Sequence, residues 1–225
     1  METGRTTIIK QLDLDSLMQI AIRHWRDIPV NKHPGMENHL SPVYRYHGIA
    51  DFLAGKVEDP ELKDLAAGLQ IQGTLRIQEA SCGEGGAISE LAAFLARKTF
   101  YTTHIDICDR ANPDNIIDPA FRTVLETAAG TGNLSWSTRQ KDVVYSDISH
   151  TPYDLTIIST TFMYLTQAEH MRALINKLME SKIVAVYPGN PRKQIGSTSL
   201  MYLDNKGTVH EKIIVAPFDD SYGSK

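Results

Sequence analysis

Hydrophobic and polar positions divide the 225-residue chain into a helical first part and an alternating second part. Residues 14–27 carry apolar side chains at positions 14, 17, 18, 20, 21 and 25, which is the spacing of one face of an amphipathic helix. Residues 29–42 contain prolines and a glycine, and this composition indicates a loop. The chain is therefore predicted to begin its regular structure with one helix and a long connection.

Two more helices are predicted before the pattern changes. The pair Ser41-Pro42 is typical of a helix start and predicts a second helix that ends near Gly55. The sequence Asp-Pro-Glu at residues 59–61 predicts a third helix that ends near Gly68.

The second part of the chain alternates between β-rich and amphipathic segments. Strands are predicted at residues 74–80, 100–107, 133–140, 153–159 and 182–188, and helices at 86–98, 118–130 and 166–181. Residues 197–203 and 208–216 flank the turn sequence DNKG, which indicates a hairpin. The predicted fold is α/β, with a doubly wound, mostly parallel seven-stranded sheet, an antiparallel C-terminal hairpin and a helical N-terminal cap.

Composition and charge narrow the class of protein. Hydrophobic residues make up 42% of the chain and charged residues 22%, which is ordinary for a soluble globular protein. A net charge of −4 argues against a general nucleic-acid binder, since such proteins usually carry a basic face. The chain has only two cysteines, which fits a reducing compartment. Its N-terminal residues lack the apolar segment of a secretory signal, and no apolar run is long enough for a membrane helix. A cytoplasmic protein with no membrane span is therefore predicted. Monomer and homodimer both remain open.

The candidate chemistry begins at the turn EASCGEGG, residues 79–86, which follows the first predicted strand and precedes a helix. In a doubly wound sheet, ligands bind beyond the carboxyl ends of the strands, and glycines let the backbone approach them closely. Asp106 lies at the end of the second predicted strand, where a carboxylate can accept hydrogen bonds from a ribose diol; a solvated acid or a helix cap is the alternative. The G-x-G-x-x-G pattern of dinucleotide oxidoreductases is absent from the turn.

About residues 70–215 resemble the class I S-adenosylmethionine-dependent methyltransferases. In that family an acid at the end of the first strand is followed by three small residues spaced by one. Here Glu79 matches the acid, and Ser81, Gly83 and Gly85 match the small positions. Ser81 departs from the pattern, because glycine is usual there. The resemblance implies S-adenosylmethionine as the cofactor.

The same resemblance implies roles for acids along the chain. Glu79 would orient the glycine loop and meet the cofactor's amino group, and Asp106 would hold the ribose hydroxyls. Asp142, with Val143 beside it, would accept a hydrogen bond from the adenine amino group, and Asp147 is the rival candidate for that role. The sequence YDLTII, which begins at residue 153, resembles the family's fourth strand.

The remaining predicted cofactor contacts are less specific. Tyr46 is predicted to close over the cofactor, and Ile107 and Ser159 lie at the ends of predicted strands. Cys82 is either part of the cofactor loop or a small apolar residue that faces the sheet. Glu84 is interpreted as a solvated loop acid.

Two histidines are candidate bases. Methyl transfer from a sulfonium is an in-line displacement, so a base is needed only if the acceptor must first lose a proton. His47 and His150 have the chemistry for this step, although a histidine satisfied in the core or on the surface is the commoner case. Tyr44 is spaced three residues from His47, which places the two on one helix face.

The segment after the fourth predicted strand bears on the acceptor. Residues 159–162 read Ser-Thr-Thr-Phe and lack the Asn or Asp and the two prolines of nucleobase amino-methyltransferases, which counts against a DNA adenine methyltransferase. Phe162 and Tyr164 either line the acceptor pocket or belong to the core. Residues 187–199 include Arg192 and Lys193, which would contact an anionic substrate group or lie in solvent. No residue set has metal-ligand spacing, so no metal is predicted.

Together these features predict a methyltransferase that acts on a small molecule at an oxygen or a nitrogen. Residues 1–70 would form a helical cap over the acceptor site, and residues 71–225 the cofactor-binding domain. Two alternatives remain open: the same cofactor used for cyclisation or aminocarboxypropyl transfer, and a non-catalytic, methyltransferase-like subunit.

Overall fold

The computed structural model of the chain describes residues 14–26, 42–70, 73–97, 102–147, 152–159, 165–187, 197–204 and 206–215. The helices are α1 Leu14–Arg26, α2 Pro42–Leu53, α3 Pro60–Gln70, α4 Gly86–Ala96, α5 Pro113–Ile116, α6 Pro119–Ala129 and α7 Gln167–Glu180. The strands are β1 Thr74–Glu79, β2 Thr102–Asp109, β3 Leu134–Gln140, β4 Tyr153–Ser159, β5 Ser181–Tyr187, β6 Ser197–Leu203 and β7 Val209–Val215.

All seven strands belong to one sheet, in the order β3-β2-β1-β4-β5-β6-β7. Strands β1 to β5 pair in parallel, whereas β6 pairs antiparallel with both β5 and β7. The predicted fold class, with its parallel sheet and antiparallel C-terminal hairpin, is confirmed. Chain order reverses between β1 and β4, and this switch point is where doubly wound sheets bind ligands.

Helices cover both faces of the sheet, and alternate strand residues face the two helical layers. On β4, Ile157 packs into the core shared with α2, α3, α4 and α6, whereas its neighbour Ile158 packs into the core shared with α1 and α7. On β5, Ala185 and Val186 divide in the same way. Because a strand covered on both faces is apolar on both, its sequence reads as a continuous hydrophobic run.

Local sequence explains where several helices begin. Thr166 and Glu169 form a reciprocal capping box at the start of α7. Asp118 caps α6, and the following proline occupies the first turn, where no amide hydrogen is needed. Asn112 caps the short helix α5 in the same manner, and this helix was absent from the sequence prediction.

Strand β2 extends two residues beyond its predicted end, to Asp109. It pairs with β3 through its last residue, where Asp109 is opposite Gln140. Asp106, predicted at the end of the strand, therefore lies inside the sheet, opposite Gln78 on one side and Ser137 on the other.

The N-terminal helices pack on different faces of the sheet. Helix α1 contacts α7, whereas α2 contacts α4 and β6. The contact of α2 with the hairpin is close, since a Cβ atom on Gly48 would lie 3.3 Å from Cγ2 of Ile214. The assignment of residues 1–70 as a cap over the acceptor site stays a prediction. Within the described ranges, no helix has the length and apolar character to cross a membrane.

Candidate functional site

The glycine loop connects β1 to α4 at the carboxyl edge of the parallel strands. Gly83 has φ 50° and Gly85 has φ 88°, a left-handed conformation that residues with a Cβ rarely adopt. A Cβ on Gly85 would lie 3.1 Å from Cγ2 of Ile117, whereas one on Gly83 would meet no atom within 4 Å. The loop is therefore packed on the inside at Gly85 and open at Gly83, where a ligand can approach the backbone.

Asp109 is the carboxylate that borders this loop. Its Oδ2 accepts a hydrogen bond of 3.1 Å from the amide of Gly83, and its Oδ1 accepts one of 3.0 Å from the amide of Ala111. The side chain is neither buried nor fully exposed. The end of β2 thus presents a carboxylate at the open face of the loop, and sequence analysis missed it because the strand was ended too early.

Asp106 lies elsewhere, and its predicted ribose role is corrected. The residue is completely buried, and its carboxylate accepts hydrogen bonds from Ser137 Oγ and, at 2.8 Å, from Tyr153 Oη. Arg139 Nε lies 3.3 Å from Oδ1 and His104 Nε2 lies 3.4 Å from it. Because the side chain has no exposed surface and both oxygens already accept hydrogen bonds inside the sheet, a ribose could not reach the carboxylate.

Opposing effects act on the pKa of Asp106. Burial alone would raise it, but the hydrogen bonds from Ser137 and Tyr153, with the charge of Arg139, outweigh burial and hold the pKa below its usual range. The carboxylate is thus ionised at neutral pH and serves as the centre of a structural network.

Two other residues predicted to contact the cofactor have side chains that pack against the core. Ile107 is fully buried, and its side chain belongs to the core on the α4 side of the sheet; its contact with the cofactor stays a prediction. Cys82 packs against the same core, and burial raises the pKa of its thiol, which therefore stays protonated. Glu84 is exposed, and its carbonyl accepts a 2.9 Å hydrogen bond from the amide of Asp118, which ties the loop to α6.

Glu79 occupies the last position of β1 and is 1% exposed. Its negative charge helps to raise the pKa of the Cys82 thiol, after the larger effect of burial. Ser81, half-buried, lies between Glu79 and Cys82 in the chain, and Gly83 follows Cys82. Glu79 is therefore a carboxylate held beneath the glycine loop at the switch point.

Asp142 follows β3 at the same edge of the sheet. Its Oδ1 accepts hydrogen bonds of 2.7 Å from the amide of Val144 and 3.0 Å from the amide of Tyr145, so it shapes the turn. Its Oδ2 lies 3.8 Å from Nε of the exposed Arg110, a weak contact that a ligand can replace. Val143 is 8% exposed and packs into the core, and Asp147, the rival candidate, is exposed beyond the turn.

Helix α7 fixes the Asp142 turn, a contribution that the sequence analysis missed. Asn176 Nδ2 donates a 2.8 Å hydrogen bond to the carbonyl of Val144. Lys141 Nζ lies 2.9 Å from Oε1 of the buried Glu180. Tyr145 Oη donates a 2.8 Å hydrogen bond to Glu169 in the first turn of the helix. An asparagine in the middle of a helix gives no sequence signal for such a role.

Several predicted residues fall outside the described part of the structure. Tyr44, Tyr46 and His47 belong to α2, but their side chains are not described. His150, Phe162 and Tyr164, and the basic residues Arg192 and Lys193, lie in ranges that are not described at all. Ser159 ends β4, and its side chain is also outside the description. The roles predicted for these residues stay predictions.

No protein-family model and no curated protein matches the chain. Solved structures similar to it include a TehB-like S-adenosylmethionine-dependent methyltransferase from Corynebacterium glutamicum (16% identity over 62% of this chain, TM-score 0.36) and TehB from Haemophilus influenzae (16%, 61%, 0.35). An S-adenosylmethionine-dependent methyltransferase from Clostridium acetobutylicum is 10% identical over 78% of this chain and 76% of its own, with a TM-score of 0.40. The chain spans 60% of the Corynebacterium chain and 44% of the Haemophilus chain.

Proposed function

We propose that the protein is an S-adenosylmethionine-dependent methyltransferase that acts on a small-molecule acceptor. One observation carries the proposal: Glu79, Asp109 and Asp142 lie at or just beyond the carboxyl ends of three adjacent strands, β1, β2 and β3. Strands in a sheet are about 4.8 Å apart, so these carboxylates are spread along the edge instead of gathered at one point. Such a row suits an extended ligand better than a metal ion.

The order of the carboxylates matches the parts of the cofactor in the family that the sequence resembles. Glu79 beneath the glycine loop would meet the amino-acid end, Asp109 would accept hydrogen bonds from the ribose hydroxyls, and Asp142 would accept one from the adenine amino group. The open backbone at Gly83 leaves room for the cofactor to pass the loop. The residues present therefore fit S-adenosylmethionine.

Charge favours this cofactor over a dinucleotide. S-adenosylmethionine carries a positive sulfonium and an ammonium group, and a carboxylate near an ammonium forms a charge-assisted hydrogen bond. The pyrophosphate of a dinucleotide would instead pass over the buried carboxylate of Glu79, and repulsion between like charges disfavours that arrangement. The missing G-x-G-x-x-G pattern agrees with this preference.

The bound cofactor would supply a methyl group on a positively charged sulfur. The chain's own task is then to hold the cofactor in one orientation, align the acceptor and exclude water. Asp109 would help to orient the cofactor in two ways. It would accept hydrogen bonds from the ribose, and it fixes the glycine loop by accepting a hydrogen bond from the Gly83 amide. Helix α7 supports it through Asn176, which holds the Val144 carbonyl and with it the Asp142 turn.

A small molecule is the proposed acceptor because the net charge of −4 offers no general attraction for nucleic acid. We further propose that His47 or His150 acts as the base when the acceptor must lose a proton, and that Tyr44, Phe162 and Tyr164 line the acceptor pocket.

Calorimetric titration of the wild-type protein with S-adenosylmethionine, S-adenosylhomocysteine and NAD tests the cofactor assignment. Binding of the first two and none of NAD is expected. Incubation with a small-molecule extract and S-adenosylmethionine, followed by mass spectrometry, then tests the reaction through products that have gained one methyl group. Binding of NAD alone would contradict the proposal, and cofactor binding without any methylated product would favour a non-catalytic subunit or other chemistry.

A further inference from the structure

A second cavity lies at the opposite edge of the sheet from the glycine loop. Its volume is about 650 Å³. Helix α3, the end of α7, the start of β5 and the end of β6 border it, and it is partly open to solvent. Its lining residues are Glu61, Asp64, Leu65, Gly68, Leu69, Pro152, Leu178, Met179, Ser181, Lys182, Ile183, Tyr202, Leu203 and Asp204.

The position of this cavity separates it from the candidate cofactor site. Ser181 and Lys182 begin the parallel strand β5, and Pro152 directly precedes β4, so the cavity opens at the amino-terminal edge of the strands. The antiparallel strand β6 ends at that same edge with Leu203. The glycine loop and Asp109 belong to the carboxyl edge, and an occupant of the cavity would not reach them.

The interior of the cavity is apolar. Leu69, Leu178 and Ile183 contribute buried side chains to its lining, and the partly exposed Leu65 and Leu203 contribute accessible apolar surface. Tyr202 adds an aromatic ring that is 8% exposed. Small-molecule sites are usually clefts of about 300–1,000 Å³ with apolar walls and few polar groups, and this cavity matches that description in volume and in lining. Its occupant should therefore have an apolar body.

The rim of the cavity is acidic. The lining holds three acids, Glu61, Asp64 and Asp204, and one lysine, Lys182. Nζ of Lys182 is 2.7 Å from a carboxylate oxygen of Asp154. Lysines and a histidine partly compensate the other acids: Lys212 pairs with Glu61 at 2.7 Å and with Asp59 at 3.1 Å, and His210 pairs with Asp204 at 3.1 Å.

Charge at the rim still favours a cation after these pairs are counted. The local carboxylates outnumber the local lysines, and Asp64 has no ion-pair partner within the described ranges. Asp64 is also exposed, on the same helix as the apolar residues Leu65 and Leu69. A cationic group beside Asp64 would therefore lie next to the apolar interior.

Gly68 keeps the cavity open. It lies inside α3, where glycine is less favourable than alanine, and a Cβ built on it would meet no atom within 4 Å. A Cβ at this position would meet no clash, and because Gly68 is part of the lining, a larger side chain there is expected to narrow the cavity. Substitution of Gly68 by a larger residue is therefore a way to reduce the volume of the cavity without disrupting α3.

We propose that this cavity is a second binding site, separate from the cofactor loop, for a small molecule that has an apolar body and one amine cation. The apolar body fills the space between α3, α7 and β5. The ammonium group lies at the rim and is attracted by Asp64, with Glu61 and Asp204 contributing to the field. This proposal does not depend on the identity of the cofactor.

Three probes of equal length and different charge test the proposal: hexylamine, hexanol and hexanoate. Binding is followed by ¹H–¹⁵N correlation spectra of the whole protein, with shifts expected at residues of α3 and β5. Hexylamine should bind more tightly than hexanol by up to about fivefold, the upper end of the effect that one exposed charge pair gives. Hexanoate should bind more weakly than either.

Two variants separate the apolar and the charged contributions. Gly68→Leu should weaken the binding of hexylamine by roughly tenfold or more, because the new side chain occupies the cavity. Asp64→Asn should remove the preference for hexylamine over hexanol and leave the binding of hexanol unchanged. Gly68→Ala is the matched control, since it changes the helix in the same place and leaves most of the volume free.

Several results would overturn the proposal. They are a lack of hexylamine binding, equal affinities for hexylamine and hexanol in the wild-type protein, and full affinity in a folded Gly68→Leu variant. Thermal unfolding shows whether each variant is folded, and titration with S-adenosylhomocysteine reports separately on the cofactor site. If wild type binds hexylamine as expected but not S-adenosylhomocysteine, the cavity proposal stands and the proposed function fails.

Discussion

The buried carboxylate of Asp106 gives the sharpest test of the structural reasoning. In Asp106→Asn the side chain keeps its volume, but it loses its charge and presents an amide NH₂ group to donors. Ser137 and Tyr153 both donate to the wild-type carboxylate, so at least one hydroxyl loses its acceptor. The charge of Arg139, whose Nε lies 3.3 Å away, also loses its partner.

The expected cost follows from these contacts. Breaking a buried ion pair costs about 3–5 kcal/mol, and a hydrogen bond to a charged group is worth about 1.5–3 kcal/mol. The side chains of Arg139 and His104 are 58% and 31% exposed, so solvent screens their part. We expect a loss of about 2–3 kcal/mol in the free energy of unfolding, or roughly 4–12 °C in Tm for a chain of this size.

The loss of stability in Asp106→Asn should depend on pH, and the shift in the pKa of Asp106 determines the direction of this dependence. Its pKa is lower in the folded protein than in the unfolded chain, so the ionised carboxylate stabilises the fold above the unfolded pKa of about 3.9. This contribution disappears as the pH falls through the folded pKa. The difference between wild type and Asp106→Asn should therefore be constant near neutral pH and shrink below about pH 4.

Urea denaturation of both proteins at several pH values measures this difference. Asp114→Asn is the matched control, because Asp114 pairs with Arg122 at the surface with 52% of its side chain exposed, and its loss should be below about 1 kcal/mol. A structural role for Asp106 is refuted if Asp106→Asn unfolds at the wild-type urea concentration and at the same time loses affinity for S-adenosylhomocysteine. That result would instead support Asp106 as the residue that binds the ribose hydroxyls of the cofactor.

Three further substitutions test other parts of the site. Asn176→Ala should weaken S-adenosylhomocysteine binding several-fold in calorimetry, since the Val144 carbonyl loses its 2.8 Å donor; unchanged affinity would contradict this. Thr166→Ala should lower stability to urea by about 0.5–2 kcal/mol through loss of the capping box, and no change would show that the box is not formed. Gly85→Ala should cost at least about 1 kcal/mol and abolish cofactor binding, because of φ 88° and the 3.1 Å approach to Ile117; wild-type binding would contradict the loop geometry.

Matched controls exist for two of these changes. Thr127→Ala removes a hydroxyl that donates to the carbonyl of Thr123 within the exposed face of α6, and its effect should be within about 0.5 kcal/mol. Gly68→Ala places a Cβ in open space inside a helix and should stabilise the protein by about 0.5–1 kcal/mol. A common loss from every substitution would indicate a general sensitivity of the protein and not the specific contacts.

The sequence was sufficient for the order of strands and helices, because periodicity and turn chemistry act locally. Residues 204–207 marked the hairpin, and Pro119 with Asp118 marked the start of a helix. The same local signals failed at the end of β2. Residues 105–108 are all buried, so the strand shows no alternation that would mark where it stops or which way Asp106 points.

The distinction between Asp106 and Asp109 needed the register of three strands. Both are acids near the end of one strand, and either matches the family pattern by position. Pairing with β3 continues to the last residue of β2, so Asp109 lies at the edge. Only the three-dimensional contacts show that one carboxylate accepts from Tyr153 and the other from the Gly83 amide.

Contacts between distant segments were also beyond the sequence. Asn176 contacts the Asp142 turn from α7, a helix that begins 25 residues after Asp142. No feature of the sequence around Asn176 predicts this contact. The lining of the second cavity likewise comes from α3, α7, β5 and β6, which no local pattern connects. The sequence was sufficient to predict the glycine loop and a set of candidate acids near it. The three-dimensional contacts were needed to distinguish the acids at the loop from those buried in the sheet.

The most direct test of the central claim is calorimetric titration of wild type and Asp109→Ala with S-adenosylhomocysteine. The wild-type protein should bind, and the variant should bind about 5- to 150-fold more weakly, which corresponds to a loss of about 1–3 kcal/mol from unpaired ribose hydroxyls. Equal affinities for the two proteins, or no binding to the wild-type protein, would contradict the row of carboxylates as the cofactor site.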